Sequence, residues 1–272
     1  MFFEEIKETT NYIKSKIKSI PEFAIVLGSG LGGLTNLVTV EKELYYNEIP
    51  NFPQSTVEGH DGKLIFGTIG EKAVMMMAGR FHYYEGYSMK QVTFPMRVMK
   101  ALGIHTMIVS NAAGGMNPDF QIGDIMIIKD HINLFPEHPL RGKNDDRLGV
   151  RFPDMSEPYN QELINIVKDI AQKNNIPIKE GVYIGLQGPT FETRAEYKYL
   201  HIIGGDAVGM STVPEVIVAI HSGMKVFAAS IITDIGIREE LNVITHEEVL
   251  EAANNAAPKL EKIVSELIKS IK

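Results

Sequence analysis

Short, almost wholly apolar runs recur along the 272-residue chain, and between them apolar residues return every three or four positions. The runs "FAIVL" (23–27), "KLIFGTI" (63–69), "AVMMMA" (73–78), "TMIVSN" (106–111), "IMIIK" (125–129), "VYIGL" (182–186) and "KVFAASIIT" (225–233) predict strands. The periodic stretches predict helices at about 88–102, 159–174, 192–202, 213–222 and 246–270, with Pro95 kinking or delaying the first. Strands that are apolar on both faces and alternate with helices imply an α/β fold: a mixed, mostly parallel sheet flanked by helices. No repeat, low-complexity segment or clear linker interrupts the pattern, so a single domain over 1–272 is expected. The segment 133–158 is rich in Pro, Gly and charge and too long for a passive connection. It is expected to be functional or packed against a partner, the alternative being a disordered surface excursion.

At the N-terminus, charges run throughout, while Ile6, Ile13, Ile17 and Ile20 recur near helical spacing. That predicts an amphipathic helix rather than a signal peptide, and no apolar run approaches the ~18 residues of a membrane span. A cytoplasmic protein without membrane contact is expected. Composition changes little in this picture, with 44% apolar and 22% charged residues. The net charge of −7, with no basic stretch interleaved with aromatics, argues against nucleic acid but not against a small anion held locally. With no cysteine, disulfides, thiolate metal sites and a cysteine nucleophile are excluded.

The first candidate for chemistry is "AIVLGSGLGGL" (24–34), where Gly28, Gly30 and Gly33 match G-x-G-x-x-G by letter. A dinucleotide site needs a full helix after the glycines and an acidic residue ending a second strand about 20 residues on. Here "LTNLVTV" predicts a short helix at best, and Glu41, Glu43 and Glu48 lie in a polar stretch with no apolar strand before them. What remains is a nest of backbone N–H groups with the Ser29 hydroxyl, suited to a single phosphate. A serine hydrolase also fails, because "GSG" is not G-x-S-x-G.

Further polar motifs follow apolar strands, where open α/β sheets bind ligands. They are "STVEGHDGK" (55–63), with His60; "GRFHYYEGY" (79–87), with Arg80, His82 and Tyr84 at alternate positions; and "SNAAGGMNPDFQIGD" (110–124), with Asn111. "GLQGPTFETRAEY" (185–197) adds Phe191 and Glu192, "AVGMSTVPE" (207–215) adds Met210 and Ser211, "IITDIG" (231–236) adds Asp234, and "THEEVL" (245–250) adds His246. Several residues have structural readings as well. His82 can be a satisfied structural histidine and His60 can stabilise a turn. Asp130–His131 is expected to be structural, Met75–Met77 core, and Glu247 and Glu248 partners of a helix dipole. No histidine pair has metal spacing, His131 with His138 coming nearest.

In their order, "GSGLG", "RFHYYEG", "NAAGG", "GPTFET" and "VGMSTVPE" resemble the trimeric, low-molecular-mass purine nucleoside phosphorylases over nearly the whole chain. The resemblance implies a cofactor-independent, metal-independent pentosyltransferase in purine salvage. Purine nucleoside and the co-substrate orthophosphate would give free base and (deoxy)ribose 1-phosphate. It implies phosphate binding by Ser29, Arg80, His82, the backbone around Ala112, and Ser211, with His60 nearby. Tyr84 and Met210 would face the ribose and His246 its 5′-hydroxyl, while Phe191, Glu192 and Asp234 would hold the base and Asn111 would line the site. His82, Glu192, Asp234 and His246 would carry the catalysis. Phe152, in "RFPDM", would reach the neighbouring active site of a homotrimer.

The chemistry suits these residue types. Phosphate is both nucleophile and counter-ion, so it needs positioning and desolvation, which a bidentate Arg80 supplies, and Glu192 can accept the N1–H of a leaving base. The sequence departs from the family at Asp234, where members specific for 6-oxopurines commonly carry asparagine. An ionised aspartate only accepts, which suits a 6-amino group or an N7–H and repels O6. With Glu192 in the same pocket, one carboxyl is expected to have a raised pKa. Inosine and guanosine are the expected substrates, with some adenosine tolerance; the alternative is a 5′-methylthioadenosine/adenosine phosphorylase. A nucleosidase that uses water, and a non-catalytic binding module, are the competing classes.

Overall fold

The structure, a computed structural model, describes residues 2–56, 61–237 and 245–271. Each strand expected from an apolar run is present: β1 (Phe23–Val26), β3 (Lys63–Ile69), β4 (Lys72–Ala78), β5 (Thr106–Gly115), β6 (Ile125–Asn133), β7 (Ile178–Gly185) and β9 (Lys225–Ile235). Two further strands, β2 (Thr39–Tyr45) and β8 (Ala207–Gly209), were not visible as apolar runs. Together they form one sheet in the order β2-β3-β4-β1-β5-β8-β7-β6-β9, and β9 also pairs with β5. That last pairing closes β5, β8, β7, β6 and β9 into a ring.

Strand direction is mixed. β1 runs parallel to β4 and β5, β5 to β9, and β7 to β6 and β8. The β2–β3, β3–β4, β5–β8 and β6–β9 pairs are antiparallel. The polar stretch carrying Glu41 and Glu43 is itself a strand, β2, which no apolar run announced. This is an edge strand, exposed over most of its length, so it needs no apolar run, only the ladder that β3 supplies. Its antiparallel course also removes the dinucleotide reading, because the glycine turn leads to a 3-10 turn (Gly32–Leu37) and then to this edge, not into a βαβ unit.

The helices are α1 (Phe2–Lys14), α2 (Met89–Val92), α3 (Phe94–Leu102), α4 (Gln161–Lys173), α5 (Arg194–Ile202), α6 (Val213–His221) and α7 (His246–Ser270). α1 buries Ile6 and Ile13, but it ends at Lys14, so Ile17 and Ile20 lie beyond it. Pro95 breaks the expected 88–102 helix: α2 stops at Val92, and α3 restarts with the proline in its first turn, where its missing N–H is harmless. Met75, Met76 and Met77 are buried core residues. Each such side chain contributes about 1.5–3 kcal/mol of hydrophobic stabilisation. His131 is structural too: its Nδ1 lies 3.0 Å from the Tyr159 hydroxyl.

Between β6 and α4 the chain runs without a regular element, yet it is tied down. Arg97 of α3 donates to the Leu148 carbonyl (3.0 Å), and His221 Nε2 donates to the Val150 carbonyl (2.8 Å). At its tip Phe152 is 86% exposed.

Candidate active site

β1, β4, β5 and β9 deliver the residues that follow or end them to one cavity of about 320 Å³. Larger cavities of about 620 and 770 Å³ lie against the 139–154 segment, so chemistry rather than size marks the site. Its lining includes Ser29, Arg80, His82, Tyr84, Asn111, Ala112, Phe191, Glu192, Met210, Ser211, Asp234 and His246. The sequence expectation thus converges on one place for all but two residues. Phe152 stands on the surface, outside this cavity of its own chain, and His60 lies outside the described residues.

The glycine turn shapes one wall by close approach. A Cβ on Gly28 would sit 2.6 Å from the Asn111 Cα, and one on Gly30 (φ +73°) would sit 2.5 Å from the Ala253 Cβ. The turn can therefore lie against both β5 and α7, with Ser29 facing the cavity between them.

Arg80 follows β4 and is 1% exposed. Its Nε donates to Glu215 Oε1 (3.1 Å), and its Nη1 donates to the Ser110 carbonyl (2.8 Å) and to Ser211 Oγ (3.2 Å). Asn111 Nδ2 donates to Thr212 Oγ1 (2.8 Å), which lies 3.1 Å from Ser211 Oγ. These contacts fix the Ser211 hydroxyl between Arg80 and Thr212 at the cavity wall. Thr212 has φ +67° and ψ −56°, and Val213 N donates back to the Ser211 carbonyl (2.7 Å). This γ-turn has the rare, strained hand, and a β-branched residue held there costs about 1–3 kcal/mol. The strain sits where Ser211 is aimed.

His82 Nδ1 lies 3.1 Å from Glu85 Oε1, and its ring stacks on Tyr84 with centroids 4.8 Å apart. Burial lowers the His82 pKa; Glu85 opposes that shift and Arg80 adds to it. For Glu85, burial alone pushes the pKa up, but hydrogen bonds from His82 and Thr56 outweigh it and hold the carboxyl at about 2. Guanidinium, imidazole and two hydroxyls around one space form a donor set for an oxyanion.

The opposite end is aromatic and acidic. Phe191 is 42% exposed at the rim. Glu192 has its pKa raised by burial first, with the Asp234 charge adding to the shift. Of the two carboxyls expected to share a pocket, Glu192 is thus one that is shifted upward. Asp234 is 6% exposed, and its Oδ2 accepts from the Tyr197 hydroxyl (3.0 Å) and its Oδ1 from Thr233 Oγ1 (3.1 Å). Tyr84, Met210, Val249 and His246 also line the cavity, the last at the start of α7 behind a capping box of Thr245 and Glu248. Among the described residues, no group of three or more His, Asp or Glu side chains is placed to hold a metal ion, and no helix is long and apolar enough to cross a membrane.

The family model described as Phosphorylase superfamily matches residues 22–269. A Rattus norvegicus protein named purine nucleoside phosphorylase is 51% identical over 278 residues, covering 99% of this chain and 96% of its own. Purine nucleoside phosphorylase 1 of Geobacillus stearothermophilus is 47% identical, covering 98% and 97%. The solved structure of Schistosoma mansoni purine nucleoside phosphorylase with adenosine has a TM-score of 0.94 at 41% identity, covering 99% of this chain and 98% of that one. The inosine complex gives 0.93 at 40%, covering 99% and 97%. The chain belongs to the purine nucleoside phosphorylase family.

Members of the purine nucleoside phosphorylase family are pentosyltransferases, and so is this chain. Sequence reasoning missed several residues that build the site: Glu85 and Glu215, which hold His82 and Arg80, and Tyr197, Thr233 and Val249 in the lining. Glu215 had a readable signal, since it is the one carboxylate in the otherwise apolar "VPEVIVAI" and is 2% exposed. Tyr197 had none, because its partner Asp234 lies 37 positions away.

Proposed function

We propose that this cavity carries out reversible phosphorolysis of purine ribo- and deoxyribonucleosides in purine salvage. The main substrates are inosine and guanosine, and the products are free base and the pentose 1-phosphate. Hydrogen phosphate sits among Ser29, Arg80, His82, the Ala112 backbone and Ser211. One of its oxygens bonds to C1′ as the C1′–N9 bond breaks, and the bonding pair leaves on the purine. The proton that phosphate carried ends on the base, so charge balances. Arg80 and the hydroxyls hold the phosphate against C1′ without solvent, where its negative charge stabilises the cationic sugar. Tyr84 and Met210 bound the ribose, and His246 holds its 5′-hydroxyl. Phe191 covers the base, Glu192 accepts N1–H, and Asp234 accepts N7–H. No step needs a metal or organic cofactor.

The observation that carries this reading is the convergence of Ser29, Arg80, His82 and Ser211, from four separate segments, on the cavity that also holds Phe191, Glu192 and Asp234. The whole chain, 1–272, acts as one domain in a cytoplasmic homotrimer, with the exposed Phe152 entering the neighbouring site. Relatives crystallised with inosine, hypoxanthine and adenosine support a purine nucleoside as the substrate class. Hypoxanthine release from inosine, measured with and without orthophosphate, tests the reading. Strict phosphate dependence supports it; release without phosphate points to a nucleosidase, and no release points to a binding module.

A second reading rests on Asp234, which accepts from two hydroxyls and so favours a ligand that brings a donor. Val249, one turn from His246, adds an apolar surface near the 5′ position. Adenosine or 5′-methylthioadenosine outrunning inosine in a substrate panel would establish that alternative.

A further inference from the structure

Tyr197 lies on α5, is 3% exposed, and places its hydroxyl 3.0 Å from Asp234 Oδ2 across the cavity wall. Its ring occupies a slot that only glycine permits. A Cβ on Gly114 would lie 2.8 Å from the Tyr197 hydroxyl and 3.0 Å from Asp234 Oδ2, and a Cβ on Gly236 would fall within the ring itself. Gly114 is on β5 and Gly236 follows β9, and Gly236 N donates to the Gly115 carbonyl (2.9 Å). The two strands thus hold the slot at fixed width.

Strand register delivers the partner. β5 and β9 pair in step to Ala113 and Ile232 and then shift, so that Gly114 faces Asp234. Thr233 is the extra residue of this bulge, a device that re-aims side chains next to active sites. Thr233 Oγ1 has a single hydrogen for two acceptors, Asp234 Oδ1 (3.1 Å) and the Ala113 carbonyl (3.3 Å). The Tyr197 hydroxyl is likewise engaged twice, with Glu192 as well as with Asp234 Oδ2 (3.0 Å), so one O–H lies between the two carboxyls of the pocket. Its own acidity is suppressed by burial first and by the charges of Asp234 and Glu192 next, so it stays an O–H donor at working pH.

We infer that Tyr197 is a positioning residue for the departing purine: its hydroxyl fixes the rotation of the Asp234 carboxylate so that Oδ1 faces the ring edge bearing N7. It acts through Asp234. Without the hydroxyl, the carboxylate turns about its last bond and its repulsion from Glu192 is less well offset. This inference rests on the phosphorolytic reading and concerns its leaving-group side alone, so the phosphate side serves as an internal control.

The test is Tyr197→Phe, which keeps the ring in its slot, assayed as hypoxanthine release from inosine at varied inosine and phosphate. The expected result is a fall of about 10-fold in kcat/KM for inosine, with the KM for phosphate unchanged within about twofold. In an Asp234→Ala background the same change is expected to have less than about a twofold further effect, since the group it positions is gone. Wild-type protein without phosphate-dependent release overturns both the reading and the inference. Active wild type with a Tyr197→Phe variant equal to it overturns the inference alone. So does a full loss repeated in the Asp234→Ala background, or a loss that falls on the phosphate KM.

Discussion

Arg80 and Glu215 form an ion pair 3.1 Å long whose side chains are 1% and 3% exposed, joining the end of β4 to the first turn of α6. Taking both charges out of water is expensive, and a lone buried charge more so. The pair thus explains how a guanidinium can stand preorganised in the cavity before any anion arrives.

Removing the carboxylate should therefore do two separable things. Glu215→Leu strands a buried cation and is expected to cost about 3–5 kcal/mol, read from urea midpoints at constant m-value. Glu215→Gln keeps an acceptor for Nε and should lose less stability, while raising the KM for phosphate because Arg80 is held less firmly. A Gln variant with wild-type phosphate KM would show that Arg80 needs no such partner.

Glu85 makes a prediction with a definite sign. Its folded-state carboxyl sits at about 2, below the ordinary value of 4.5, through the bonds from His82 and Thr56 that outweigh burial. A depressed carboxyl contributes stability that is complete above its unfolded value and fades as pH falls toward the folded one. Unfolding free energy measured between pH 5 and pH 2 (roughly that window) should fall less steeply in Glu85→Gln than in wild type. The same variant should weaken phosphate binding, because His82 Nδ1 exchanges a charged acceptor for a neutral amide oxygen.

How much of this was legible beforehand follows from burial. β1, β4, β5 and β9 are apolar on both faces, so they announced themselves, and the polar residues just beyond them were found with them. β2 stayed hidden because an edge strand is set by its neighbour's backbone, and β8 because three residues make no pattern. The long final helix was read to its ends, since Thr245 and Glu248 form a capping box and apolar residues recur behind it. Contacts between distant segments depend on register and packing: Tyr197 with Asp234 leaves no local trace, and the isolated carboxylate of Glu215 marks that residue but not its partner Arg80.

Glu192 should set the acid side of the pH profile. Burial, with help from Asp234 and Glu196, raises its pKa, opposed by the hydrogen bond from Tyr197. If N1–H is accepted by the ionised form, kcat/KM for inosine should decline on the acid side through a value above the usual carboxylate range. Glu192→Gln should flatten that limb at lower activity. The stability sign is the reverse of that for Glu85. A raised carboxyl destabilises the fold at neutral pH, and the penalty vanishes as pH falls below the unfolded value, so the Gln variant should be no less stable at pH 7.

Phe152 is 86% exposed on a segment otherwise tied down by Arg97 and His221. An aromatic ring this exposed, with the Arg151 guanidinium 5.6 Å from its centroid, contributes little to folding, so Phe152→Ala should leave the melting temperature of the isolated chain nearly unchanged. If the ring completes a neighbouring site, the same change should raise the KM for nucleoside about 10-fold while sparing that for phosphate. Sedimentation at assay concentration would accompany the kinetics, and an active monomer would remove this role.

Asp234 makes the sharpest chemical prediction, because one atom changes. The Tyr197 hydroxyl binds Oδ2, so in Asp234→Asn it can pair with the amide oxygen and leave the NH2 at the Oδ1 position, facing the base. That amide can donate to O6, which the ionised acid repels, and it loses a strong acceptor for a 6-amino group or an N7–H. The ratio of kcat/KM for inosine over adenosine should then rise, by about 10-fold for one exchanged hydrogen bond of about 1.4 kcal/mol. A ratio that stays put would place the carboxylate away from the 6-position. A wild type that already prefers adenosine, reversed by this substitution, would transfer the site to the 6-aminopurine reading with the same residues in place.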